Sequence, residues 1–184
     1  MLEFNVKTDF REVERMLTKS QRTILPKATS SALNKVATSV QKEAIRILAK
    51  DIGLPQKEIR KYLFITKATW RNLESSIKAN GKRIPVHKLN AKQIRRGVKY
   101  KGQDGKRRLI PGAFMKEIRV QGVPGAYKRR GKDRFPVVFL RTVSIPHVYI
   151  KDATNKAMLR VAKVRWGKVW PHEVRYRLQK AGYN

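Results

Sequence analysis

Between Gly105 and His147 short apolar runs alternate with dense clusters of positive charge, and that alternation restricts the fold more than any other feature. Leu109-Ile110, Ala113-Phe114-Met115 and Val137-Val138-Phe139-Leu140 are bounded by Gly and Pro, the pattern of strands and their turns. Among them sit Lys106-Arg107-Arg108 and Lys128-Arg129-Arg130, followed by Lys132 and Arg134. Charges this dense cannot be buried without partners. They belong on strand edges, turns or a face that meets something anionic.

The rest of the chain supplies a frame for that region. At 184 residues it is long enough for one domain with a sizeable core, spanning 1–184, and short for two. Hydrophobic residues make up 41%, which argues for folding despite a net charge of +31. Residues 1–55 hold ten basic and six acidic side chains, whereas 56–184 hold 34 and seven, so the basic surface belongs to the middle and the end. Its natural partner is a polyanion, either nucleic acid or an acidic protein face. No run approaches the roughly 18 apolar residues of a membrane span, and the first ten residues lack a signal-peptide pattern, so we expect no membrane partner and a cytoplasmic site of synthesis. The absence of cysteine removes disulfides, thiolate metal sites and cysteine nucleophiles together.

Along the chain, Asp9 caps a predicted helix through Phe10, Val13, Met16 and Leu17, making 1–25 a helical extension. Pro26 suits the first turn of a longer helix, 26–53, with Ala32, Leu33, Val36, Val40, Ala44, Ile47 and Leu48 at helical period and a stop at Gly53. A helical turn or two follows from Gln56, and Phe64-Ile65-Thr66 reads as strand. The period then becomes two: Leu73, Ser75, Ile77 and Ala79 alternate with polar residues, and Asn80-Gly81 predicts a hairpin into Arg83 to His87. Pro85 confines that second strand to an edge or a bulge. Ile94 to Tyr100 is a further predicted strand, and 101–105 an exposed, mobile loop. The basic strand region thus covers 64–146. Helical spacing returns in 148–184, with Ala153, Ala157, Val161 and Val164 on one face, an end or kink at Trp166-Gly167, and a last helix opened by Pro171. The expected class is α+β: a long N-terminal helix and C-terminal helices packed on a central, mainly antiparallel sheet with long basic loops.

Ile110-Pro111-Gly112-Ala113-Phe114, the Arg-Gly-Lys-Asp-Arg-Phe-Pro-Val segment at 130–137 and Ile145-Pro146 resemble the prophage minor tail protein Z family of tailed bacteriophages. So does the Ala-Leu-Asn-Lys-Val-Ala stretch at 32–37, followed by a basic strand region and a C-terminal helix. The resemblance implies a structural virion protein at the head-proximal end of the tail, taking part in head–tail joining. Its implied location is the upper tail or neck, reached from the host cytoplasm during assembly. Its implied partners are further copies in a ring, neighbouring neck, tail terminator or tail tube proteins, and double-stranded phage DNA.

Catalytic chemistry finds little support. The segment 125–133 has five residues between its glycines where a phosphate-binding loop has four, and Asp133 stands in place of the magnesium-binding hydroxyl. Asp104 and Glu117-Ile118-Arg119 lack the further acids and the lysine of a metal-dependent nuclease, and Glu74 is the only carboxylate between Ile59 and Gln103. His87, His147 and His172 have no ligand-like spacing, and Ser75-Ser76 has no nearby base. We therefore expect no enzyme, no cofactor and no metal. The candidate contact residues for DNA or an acidic partner are Arg95, Arg96, Lys106, Arg107, Arg108, Lys128, Arg129, Arg130, Lys132 and Arg134. Tyr100, Phe114, Tyr127 and Phe135 lie among them, with core packing favoured over base stacking. Pro111, Gly112 and Phe114 are structural: Gly112 for backbone freedom, Phe114 for packing under the basic loops. No signature of sequence-specific DNA reading is present. A nucleic-acid-binding protein outside the virion is the alternative.

Overall fold

In the computed structural model, which describes residues 3–6, 19–102, 105–118, 123–149 and 152–182, the longest element is α1 (Lys19–Ile52). The helix begins about two turns before Pro26, so the proline lies inside it and not in its first turn. Proline in a helix interior forfeits one amide bond, a loss that the 34 residues of α1 accommodate. Its predicted apolar stripe is buried at Ala32, Leu33, Val36, Val40, Ala44 and Leu48, with Ile47 half-buried. Ala28, Ala37, Ile45 and Ile52 widen it. Gly53 ends the helix, with φ +75° and its amide donating to the Ala49 carbonyl at 2.9 Å. The helix predicted through Phe10 and Leu17 lies outside the described residues. A strand, β1 (Glu3–Val6), precedes that segment.

The chain divides into two compact units, each built from separate stretches of sequence. The first comprises Met1–Ile45, Leu63–Ala79 and Tyr149–Asn184. Here β2 (Leu63–Thr66) and β1 flank β3 (Ser75–Ala79), both antiparallel. Both edges of β3 are thus occupied, which overturns the hairpin predicted across Asn80-Gly81. Side chains of α1 tie this unit together: Asn34 Nδ2 donates to the Ala68 carbonyl at 2.9 Å while its Oδ1 accepts from the Ala68 amide at 2.8 Å. Gln41 Nε2 donates to the Leu63 carbonyl at 3.0 Å.

The C-terminal region of this unit is one helix, α4 (Asp152–Lys180), preceded by a single turn, α3 (Ile145–Tyr149). Neither Gly167 nor Pro171 breaks it. Trp166 and Trp170, one turn apart, stack with ring centroids 6.1 Å apart, and Trp170 Nε1 donates to Thr29 Oγ1 at 3.2 Å. The buried side of α4 is Thr154, Met158, Ala162 and Glu173. The predicted face, Ala153, Ala157, Val161 and Val164, is displaced from it by one position, and Val164 is exposed. Buried Glu173 accepts from Lys35 Nζ at 2.5 Å. Burial pushes its carboxyl up, and bonds from Lys35 and Ser31 more than reverse that, leaving it below the usual range.

The second unit comprises Arg46–Tyr62 and Asn80–Val148. A short helix, α2 (Gln56–Arg60), is followed by β4 (Arg83–Pro85), β5 (Lys92–Ile94), β6 (Gly97–Lys101), β7 (Arg107–Pro111), β8 (Ala113–Ile118), β9 (Val123–Arg129), β10 (Val137–Phe139) and β11 (Arg141–Ser144). They form three antiparallel sheets: β5-β6-β7, β10-β9-β8 and the pair β11-β4. The predicted strand at 94–100 is broken by a tight turn: Ile94 ends β5, Arg95-Arg96 form the hairpin turn and Gly97 to Tyr100 belong to β6, with Ile94 opposite Gly97. Gly97, at φ +147°, must be glycine, because a Cβ there would lie 2.1 Å from the Ile110 carbonyl oxygen. In the predicted loop at 101–105 Lys101 belongs to β6 and Gly102 is buried, its amide donating to the Lys106 carbonyl at 2.8 Å. The class is α+β, with long helices toward the two ends of the chain and antiparallel strands between them. Among the described residues no helix is long and apolar enough to cross a membrane.

Candidate cationic interface

The frame of the candidate interface is the middle of β9, Gly125 to Tyr127, which is buried on both faces. On one, Ala126 and Ala113 pack with Val86 and Val98. On the other, Phe114, Tyr127 and Phe139 stand opposite one another across β8, β9 and β10. Tyr127 is fully buried, its ring 6.2 Å from that of Phe114 and 5.3 Å from that of Phe139. Gly125 makes room for this row, since a Cβ there would come within 2.3 Å of the Phe139 ring. Aromatic pairs at these distances contribute about 0.5–1.5 kcal/mol beyond the area they bury. The row is therefore packed as core around Tyr127, whose ring is closed to bases, while Phe114 and Phe139 on either side are half-buried. Tyr100, half-buried against the Val86 cluster, is likewise committed.

Arginines cover the ends of the row. The Arg129 guanidinium carbon lies 5.6 Å from the Phe114 ring centre, and that of Arg141 5.4 Å from Phe139. A guanidinium over a ring is held by the quadrupole while its N–H edges stay available. Phe114, half-buried, thus lies beneath Arg129. Gly112, at φ +69° and exposed, is the corner where the chain leaves the β7 sheet for the β8 sheet, immediately after Pro111.

The predicted contact residues are all exposed and all belong to the second unit. The structure sorts them into two groups. Arg95 and Arg96 form the tip of the β5–β6 hairpin, and the Arg96 carbonyl accepts from the Gly112 amide at 3.2 Å. The next residue, Ala113, pairs with Lys128. Lys128, Arg129 and the loop carrying Arg130, Lys132 and Arg134 therefore share an end with Arg95 and Arg96. Lys106, Arg107 and Arg108 stand apart from that group. Arg107 pairs with Lys101 at the far end of β7, four residues or about 13 Å from Pro111.

Few carboxylates oppose these cations. Glu58 is held by Lys61 at 2.6 Å and Lys88 at 2.5 Å, and those two bonds lower its carboxyl to about 2. Asp133, in the β9–β10 loop, is exposed. His87 is half-buried with its ring 6.0 Å from Phe139; burial, then Lys88, pushes its imidazole down. The segment 125–133 is the end of β9 and a hairpin loop, not the strand-to-helix cradle that holds phosphates. Ser75 is buried and donates to the Thr66 carbonyl at 3.1 Å. Among the described residues no three His, Cys, Asp or Glu side chains gather where a metal ion could be held. Asp104 and Arg119 lie outside the described residues.

Sequence reading passed over two features. Arg141 was not singled out, although its neighbour Phe139 carried the signal. The second is the outer side of α4 before its last turns: Arg175 was expected to face outward, but Lys156, Arg160, Lys163, Arg165 and Lys168 are exposed as well, along a helix whose only acids are Asp152 and Glu173.

Fold and surface together define an α+β protein with clusters of exposed cations on its antiparallel strands and the turns between them. Its relatives are more specific: residues 11–181 match the model of prophage minor tail protein Z, and the chain belongs to that family. It is 29% identical over 179 residues to tail completion protein Z of Escherichia phage lambda, covering 89% of each chain. It is also 24% identical over 132 residues to a tail completion protein of Escherichia phage N15, covering 68% of this chain and 70% of that one. No solved structure matches it.

Proposed function

We propose that this protein is a structural, non-catalytic component of a phage virion that completes the head-proximal end of the tail and joins it to the DNA-filled head. The observation that carries this reading is the likeness to tail completion protein Z across 89% of both chains. Several copies close into a ring about the tail axis, as repeated contacts around a symmetric tube favour. The Arg95, Arg96 and Lys128 to Arg134 end of the second unit meets an anion there, either the end of the packaged DNA or acidic neighbours in the neck. A surface this basic needs such a partner, because 44 basic side chains against 13 acidic repel one another when copies are brought together.

The test is a phage from which the gene has been deleted. Tail tubes and filled heads should still form, because each layer folds without its neighbour, while infectious particles are lost at the joint. Electron microscopy of the lysates reads this directly. Normal, DNA-retaining and infectious virions without the protein would rule the role out.

A further inference from the structure

Phe135 is out of keeping with the surface that carries it. At 60% exposure it is the most exposed of the large hydrophobic side chains among the described residues. It lies in the seven-residue loop 130–136 between β9 and β10, closed by the Arg130 amide donating to the Pro136 carbonyl at 3.1 Å. Every residue of that loop is exposed. The Arg134 guanidinium lies 5.8 Å from the Phe135 ring centre, and Val138, just beyond the loop on β10, is 44% exposed.

We infer that this loop is a docking anchor, in which Phe135 enters an apolar pocket on a different, acidic protein while Arg130, Lys132 and Arg134 meet carboxylates at its rim. Aromatic residues, Phe among them, and arginine are the side chains enriched at protein interfaces over the rest of the surface. Phosphate contact would need only the cations, and Asp133, set among them, opposes a polyanionic backbone. A second copy of the chain is a poor occupant. It has 13 acidic side chains against 44 basic, and Glu58 and Glu173 are already engaged by lysines. The partner is therefore another protein with an acid-rimmed pocket.

The inference rests on the tail role proposed above, and its test separates the two. Tails and filled heads are purified from an infection lacking the protein, and each is mixed with purified wild-type protein or Phe135→Ala and pelleted. The expected result is that wild type pellets with one of the two particles and Phe135→Ala binds it roughly 10- to 100-fold more weakly. Its melting temperature and its affinity for double-stranded DNA should be unchanged. Equal pelleting of wild type and Phe135→Ala overturns the anchor and leaves the tail role standing. Parallel loss of particle and DNA binding also overturns it, in favour of a ring wedged into a nucleic-acid groove. Failure of the wild type to pellet with either particle overturns both readings.

Discussion

The two units carry similar numbers of charged side chains, more unevenly balanced in the second, on different frameworks. In the first, 20 basic side chains face eight acidic; in the second, 24 face five. The first unit draws polar groups inward as ties. Asn34 is bonded twice to Ala68, Trp170 reaches Thr29, and buried Glu173 holds Lys35. The second uses a dry frame, with Phe114, Tyr127 and Phe139 on one side of β9 and small aliphatic side chains on the other. Among its described residues the one strongly shifted carboxylate, Glu58, is held between two lysines. The difference teaches that stability and charge are coupled in the first unit and nearly separate in the second, which leaves the second freer to vary its cations.

The sharpest way to break that contrast is to empty the dry frame. Tyr127→Ala removes a fully buried ring touching two others, and should cost about 3–5 kcal/mol, read as a shift in urea midpoint. A loss under about 1 kcal/mol would show that the aromatic row is not what holds β9. Next in size is a tie of the first unit. Asn34→Ala leaves both backbone groups of Ala68 without their side-chain partner and should cost about 1–3 kcal/mol by the same measurement. If that variant is as stable as the parent, the first unit does not depend on its polar ties. The smallest effect on folding is expected from the cations themselves. Replacing Arg107, Arg108, Arg129 and Arg130 by Ala should move stability by no more than about 0.5 kcal/mol per site, except at Arg129, whose contact with Phe114 contributes about 0.5–1 kcal/mol. The same variant should bind double-stranded DNA more weakly on every sequence, with a shallower dependence on salt in a fluorescence titration. Because Arg107 and Arg108 lie at the start of β7, while Arg129 and Arg130 lie at the end of β9 near the β7–β8 corner, removing one pair at a time shows which group makes the contact.

How much of this was legible in the sequence follows from how local each signal is. The α1 stripe, the stop at Gly53 and the corner at Gly112 depend on a few neighbouring residues, and each was readable. The same is true of the strands around Phe64, Leu109 and Phe114. Pairing was not legible, because it is decided at a distance: Asn80-Gly81 looks like a hairpin turn, but β1 and β2 already hold both edges of β3. At 94–100 a strand-like run concealed a hairpin, since Arg95 and Arg96 carry none of the usual turn chemistry and the necessary glycine is displaced to position 97. In α4, Pro171 and Gly167 are local breakers overruled by packing, and the apolar face was misplaced by one residue because Thr154 and Glu173, both polar, are on the buried side. The cationic clusters were visible as composition; their division into two groups required the register of β6, β7 and β9.

Arg129 and Arg141 have a consequence for association that charge alone does not describe. An arginine free in solvent samples many rotamers, and fixing it at an interface forfeits that freedom, at about 0.5–1.5 kcal/mol for each such side chain. With their guanidinium groups already resting on Phe114 and Phe139, these two have surrendered part of that motion during folding. Each therefore holds its planar fork set in advance, in a way that lysine, a mobile point charge, would not reproduce.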